Sequence, residues 1–162
     1  MSPDNVYKSA HALESSLLAG VHATWTKVAA GRLAPRRDEI TPAVLKTALP
    51  WIWMFDAVDG GADFRFRFAG DRVVQFMGRR YAGEMLSTFA KDPFFQRMRA
   101  VLLDCVRSRA PVAAGPMRSL QNGKEYLQLE VVVLPLSEDG AQITTLFGAL
   151  DIRPIDRVRP KD

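Results

Sequence analysis

A chain of 162 residues, 48% of them hydrophobic and 25% charged, has the length of one domain and the composition of a soluble globular protein. Its single cysteine, Cys105, excludes an internal disulfide, and no apolar run approaches the ~20 residues that a bilayer span needs. The net charge of +4 comes from arginines spread over several segments, which argues against a dedicated nucleic-acid binder and for a weakly basic solvated surface. The polar start, with Asp4 and Glu14, does not read as a signal peptide, so the expected location is the cytoplasm, with no membrane insertion.

The first periodic segment covers 9–30, where Ala10, Leu13, Leu17, Val21, Trp25 and Val28 recur at steps of three and four and form one helical stripe closed by Gly31. An extended connector with Pro35, Arg36 and Arg37 follows. Thr41-Pro42 is a helix start, threonine as cap and proline at the first helical position, with Ile40 and Leu45 placed as a staple and Pro50 as the stop. The aromatic run 51–58 ends in Asp59-Gly60-Gly61 and leads into 63–69, where Phe64, Phe66 and Phe68 alternate with Arg65 and Arg67; together these are a hairpin. Helical signals follow, a short one at 71–77 between Gly70 and Gly78, then a longer one from Asp92-Pro93 to about Arg109 with a stripe of Phe94, Met98, Val101, Leu102 and Cys105. Asn122-Gly123 sets up a hairpin between 117–121 and 125–133, and Glu138-Asp139-Gly140 turns the strand 126–136 into a last one at 143–152.

Two strands, a helical crossover and three more strands describe an α+β fold built on one antiparallel sheet with helices on one face and an N-terminal helix besides. The first, fourth and fifth strands are near-continuous apolar runs, the mark of strands covered on both faces, although Gly148 breaks the last of them. The second alternates with arginine and the third carries Pro116, as edge strands do. Numbered along the chain, the expected five-strand order is 2-1-5-4-3. The crossover helices cover one face; the stripe of Leu13, Leu17, Val21 and Trp25 is available for the other, on its own sheet or exchanged with a second subunit, and a homodimer through this helix is expected. The organisation read is an N-terminal helical extension over 1–48, a domain over 49–155 and a tail over 156–162.

That strand order with helices between the second and third strands resembles the PAS fold. Trp25, Leu33-Ala34-Pro35-Arg36-Arg37-Asp38-Glu39-Ile40-Thr41-Pro42, Leu49-Pro50-Trp51-Ile52, Phe64-Arg65-Phe66-Arg67-Phe68-Ala69-Gly70 and Gly78-Arg79-Arg80-Tyr81-Ala82-Gly83 are similar to the standalone bacterial PAS-like family PAS_5. The resemblance implies a non-catalytic sensory or regulatory module, acting in trans through a small-molecule ligand or a partner signalling protein. It names no ligand, and no cofactor is assigned. Flavin photochemistry of the LOV type needs an Asn-Cys-Arg stretch, whereas Cys105 stands between Asp104 and Val106; haem binding needs a histidine on the crossover helices, whereas His11 and His22 both fall in the first helical segment.

Phe66, Phe76, Met77, Met98, Cys105 and Met117 are the residues expected to line a cavity between helices and sheet, with plain core packing as the competing reading. Arg67, in the family motif, and less so Arg65 suit an anionic ligand, with pairing to a carboxylate as the alternative. No catalytic residue is assigned: no Ser/His/Asp motif, phosphate loop or Cys-x-x-Cys pair occurs, and Asp56, Asp63, Asp104 and Glu130 are scattered. The rivals are a small isomerase-like α+β cone with an acidic base in an apolar pocket, and a ligand-free adaptor with a filled core.

Overall fold

In a computed structural model, which describes residues 7–155, the chain runs β1 (Tyr7–Lys8), α1 (Ser16–Ala29), α2 (Pro42–Leu45), β2 (Ile52–Val58), β3 (Asp63–Ala69), α3 (Asp71–Met77), α4 (Pro93–Ser108), β4 (Val112–Arg118), β5 (Leu127–Leu136) and β6 (Thr145–Pro154), with short 3₁₀ turns between several of them. The tail expected over 156–162 and the first six residues lie outside the described part. The strands form one antiparallel sheet in the order β1-β4-β5-β6-β2-β3.

Sheet membership corrects the sequence reading in count, and in order by one strand added beside β4; the five expected strands keep their places relative to one another. There are six strands among the described residues, not five, because Tyr7 and Lys8 pair with Ala114 and Ala113. Two residues are too few for alternation to register in a sequence. β4 is therefore flanked by β1 and is not the free edge that Pro116 suggested. The proline is accommodated by an irregularity in the β4–β5 pairing between Ala114 and Met117, and at Gly115, with φ of +97°, a β-carbon would meet the Leu129 carbonyl at 2.4 Å. The strand itself begins at Val112 rather than at 117, so Asn122-Gly123 lies in a longer connection, not in a two-residue hairpin turn.

Strand parity sorts the core into two layers. On β5, Leu129, Val131 and Val133 face the α3/α4 layer, while Val132, Leu134 and Leu136 face the α1/α2 layer. The same split puts Trp53 and Phe55 in one layer and Ile52 in the other, and Leu146 and Leu150 opposite Phe147 and Ala149. Apolar runs on β2, β5 and β6 thus follow from burial on both sides.

Helix starts obey local chemistry. Thr41 accepts from the Val44 N–H, Asp92 accepts from the Phe94 N–H at 2.8 Å, and Pro42 and Pro93 take the first helical positions. α1 starts at Ser16, later than expected, because Ser15 caps it by accepting from the Leu18 N–H; His11 sits before it in a 3₁₀ turn rather than in the helix. Leu18, Val21 and Trp25 of α1 bury against this chain's own sheet, and the Trp25 indole N–H donates to the Pro135 carbonyl at 2.8 Å. Together with α2 and the connector before it, the helix covers the second face within this chain. No helix among the described residues is long and apolar enough to cross a membrane.

Candidate ligand cavity

A cavity of about 170 Å³ lies between the sheet and helices α3 and α4. Its floor is Trp53 and Phe55 of β2, Leu129, Val131 and Val133 of β5, and Leu150 of β6; its walls are Val73 and Met77 of α3 and Phe94, Met98, Val101 and Leu102 of α4. The walls follow from helical spacing, which aims positions 94, 98, 101 and 102 of α4 to one side. The floor follows from strand parity and from one missing side chain. Trp53 pairs with Gly148, and a β-carbon there would stand 2.4 Å from the indole, so bare backbone at 148 lets the ring lie down on the sheet.

Charge enters only at the mouth, where Arg67, Arg79, Arg80 and Arg97 line the cavity beside Tyr81. Arg79 is the most constrained: it donates to Glu84 at 2.7 and 3.2 Å and stacks 3.9 Å above the Tyr81 ring centroid, and the bond to Glu84 is the main cause that raises its pKa. Arg67 pairs with Asp56 at 2.9 Å. Arg80 is held loosely, its nearest carboxylate being Asp71 at 3.9 Å, with the two side chains 72% and 93% exposed. Arg97 donates to the Arg118 carbonyl at 2.8 Å. Among the described residues, no carboxylate, imidazole, thiol or aliphatic hydroxyl lines the cavity. The arrangement offers apolar contact, aromatic edges and positive charge at the rim.

Of the residues singled out in the sequence, the structure brings Phe66, Arg67, Met77, Met98 and Met117 around this cavity. Phe76 and Cys105 belong to the same buried layer but not to its lining. The Phe76 ring packs against Phe94, and Lys124 reaches its carbonyl. Cys105 lies one turn farther along α4 than Leu102, fully buried beside the Ala110 and Val133 carbonyls; burial first, then the charge of Asp104, pushes its thiol pKa up. Arg65 is exposed on the edge strand, its backbone bridging to Met85.

Arg67 reaches the mouth through a bulge. In the β2–β3 pairing Met54 opposes Phe68 and Phe55 opposes Phe66, which leaves Arg67 as the extra residue. The strict Phe/Arg alternation expected here therefore breaks: Phe68 pairs with Met54 and is 42% exposed, at the border of the cavity. Sequence reasoning missed Arg79, Arg80, Arg97 and Tyr81 as lining residues. Three of the four stand in the Gly78-Arg79-Arg80-Tyr81-Ala82-Gly83 stretch, whose two glycines with positive φ mark a tight loop beside α3.

On the sheet's opposite face Glu130 is 4% exposed and fully used. Its carboxylate accepts from the Lys8 ammonium at 2.6 Å and from the Glu14 and Ser15 N–H groups at 2.9 and 2.7 Å, which ties the N-terminal segment and the start of α1 to the middle of β5. Burial opposes its ionisation, but these donors together outweigh burial and hold the carboxyl below its usual range. His11 and His22 stand edge to face at 5.1 Å, and burial, then His11, lowers the His22 pKa. No group of three or more His, Cys, Asp or Glu among the described residues is placed to hold a metal ion.

No curated protein matches this chain. The family model described as "PAS domain", PAS_5, matches residues 13–151, from just before α1 into the last strand. With β2 to β5, most of β6, the crossover helices and the cavity beneath them inside that match, the chain belongs to the PAS_5 family of PAS domains.

Proposed function

We propose that this protein is a non-catalytic sensor in which the cavity under α3 and α4 binds a small ligand and the N-terminal layer reports it to a partner protein. Membership of the family supports a sensory or regulatory role in general. The observation that carries the finer reading is the cavity itself: 170 Å³ of apolar space in the middle of an otherwise close-packed layer, with polar groups confined to its mouth.

The route to a partner rests on β5. Leu129 and Val131 touch the cavity while Glu130, between them, points the other way and holds Lys8 and the α1 start. Successive strand residues face opposite sides. A ligand that shifts β5 by a fraction of an ångström thereby alters the seat of α1, and residues 1–48 act as the output layer for the domain over 49–155. Such a ligand biases the equilibrium only by its differential affinity for the two arrangements.

An isomerase-like cone needs a carboxylate deep in the pocket, and the lining supplies none. A filled adaptor core has no such space. Native mass spectrometry of gently purified protein tests the sensor reading. The expected result is a stoichiometric small molecule released on denaturation and absent from Met98→Trp, whose indole fills the space. Bare protein with no thermal shift on adding nucleotides, fatty acids or organic acids overturns it.

A further inference from the structure

The charge at the cavity mouth has one sign. Among the described residues, Arg67, Arg79, Arg80 and Arg97 are the only formally charged side chains that line the cavity, and no acidic residue joins them there. Three of the four are already committed, Arg67 to Asp56 at 2.9 Å, Arg79 to Glu84 at 2.7 Å and Arg97 to the Arg118 carbonyl at 2.8 Å, each a charge-assisted bond that fixes a guanidinium. Arg80 differs. Its Asp71 contact is 3.9 Å long, beyond hydrogen-bond distance, and both groups stand largely in water, so the side chain can turn to a ligand at small cost.

The apolar part has a size. The cavity volume of about 170 Å³ compares with the roughly 150 Å³ of an engineered apolar cavity that takes up benzene. A body of one aromatic ring, or an aliphatic chain of similar volume, fits. The walls suit a ring: Trp53, Phe55 and Phe66 present edges and faces, and Met77, Met98 and Met117 present polarisable sulfur that adapts to an aromatic partner.

We infer that the ligand selected here is a small aromatic carboxylate, its ring inside the cavity and its carboxylate at the mouth, where Arg80 reads it. One planar head group matches one uncommitted planar fork. The inference rests on reading the cavity as a ligand site. A cationic head would meet four guanidiniums, and a neutral head would forgo a charge-assisted bond.

Three probes with the same body and different heads separate these outcomes: 3-phenylpropionate, 3-phenyl-1-propanol and 3-phenylpropylamine, each titrated into the full chain. The expected order of affinity is acid, then alcohol, then amine, with the acid ahead of the alcohol by about threefold at low salt, the size of one exposed charge pair. In Arg80→Gln the acid-to-alcohol ratio falls about threefold, as for one exposed pair. Raising the salt concentration narrows the ratio in the wild type. Equal binding of acid and alcohol, stronger binding of the amine, or an unchanged ratio in Arg80→Gln overturns the carboxylate inference and leaves the cavity reading standing. No binding by any of the three overturns both.

Discussion

Trp53 and Gly148 oppose each other across the β2–β6 pair, and a β-carbon on residue 148 would come within 2.4 Å of the indole and 2.1 Å of the Val132 carbonyl. Neither the ring nor the neighbouring strand can yield without cost, because both are packed in the sheet's centre. Gly148→Ala is expected to lower stability by about 1–3 kcal/mol, the range for overpacking a core. It should also lift Trp53 into the cavity, so that ligand binding falls by more than the stability loss accounts for. Urea midpoints and tryptophan emission check both. An unchanged midpoint would contradict the close approach.

Glu130 gives the fold a pH dependence with a definite sign. Its folded pKa is depressed below the unfolded value of about 4.3, so its contribution is present above that pH and is lost as the pH falls through the folded pKa. Glu130→Gln should cost about 2 kcal/mol near pH 7, since three donors lose an ionised acceptor. The gap between variant and wild type should close as acid is added. A gap that stays constant down to pH 3 would show that the carboxylate is not what these donors hold.

The bond from the Trp25 indole to the Pro135 carbonyl anchors α1 to β5 inside the apolar layer. Trp25→Phe keeps a ring and leaves that buried carbonyl without its donor. A loss of about 1–2 kcal/mol is expected, with faster hydrogen exchange in α1 than in α4. Equal acceleration in both helices would mean that α1 is not a separately anchored element.

Cys105 is expected to be inert in the native state. It is fully buried and its thiol pKa is raised, so little thiolate is present or reachable at pH 8. A disulfide reagent should titrate it only after denaturant is added. Rapid native labelling would show that α4 opens readily beside the cavity.

Most of the fold was written in features that act locally. The caps at Thr41 and Asp92, the glycines around α3 and the two-sided apolar runs of β2, β5 and β6 need only neighbouring residues or strand parity to be read. Three features needed the third dimension. β1 exists because Tyr7 and Lys8 find Ala113 and Ala114 more than a hundred residues away, with no periodicity of their own. The bulge that turns Arg67 to the mouth and breaks the Phe64, Phe66, Phe68 series depends on how β2 and β3 pair. Gly148, which reads in sequence as a flaw in a strand, is a seat for Trp53.

The site was legible in part for the same reason. Met98 and Phe66 declare themselves by periodicity, yet the same periodicity enrolled Cys105, which sits past the end of the cavity. Spacing assigns a face and not a depth along it. Arg79 and Arg80 carry no periodic signal at all, since a loop arginine and a solvated one look alike until the loop is folded over the opening.

Methionine-methyl NMR with benzene as the probe tests most directly whether this cavity takes up a guest. Met77, Met98 and Met117 line the cavity, Met54 packs in the opposite layer, and Met85 lies outside the lining. Benzene should shift the first three methyl signals saturably and leave Met54 and Met85 in place. If the three stay fixed while the protein remains folded, or if Met54 moves with them, the space beneath α3 and α4 is ordinary core and the sensor reading fails.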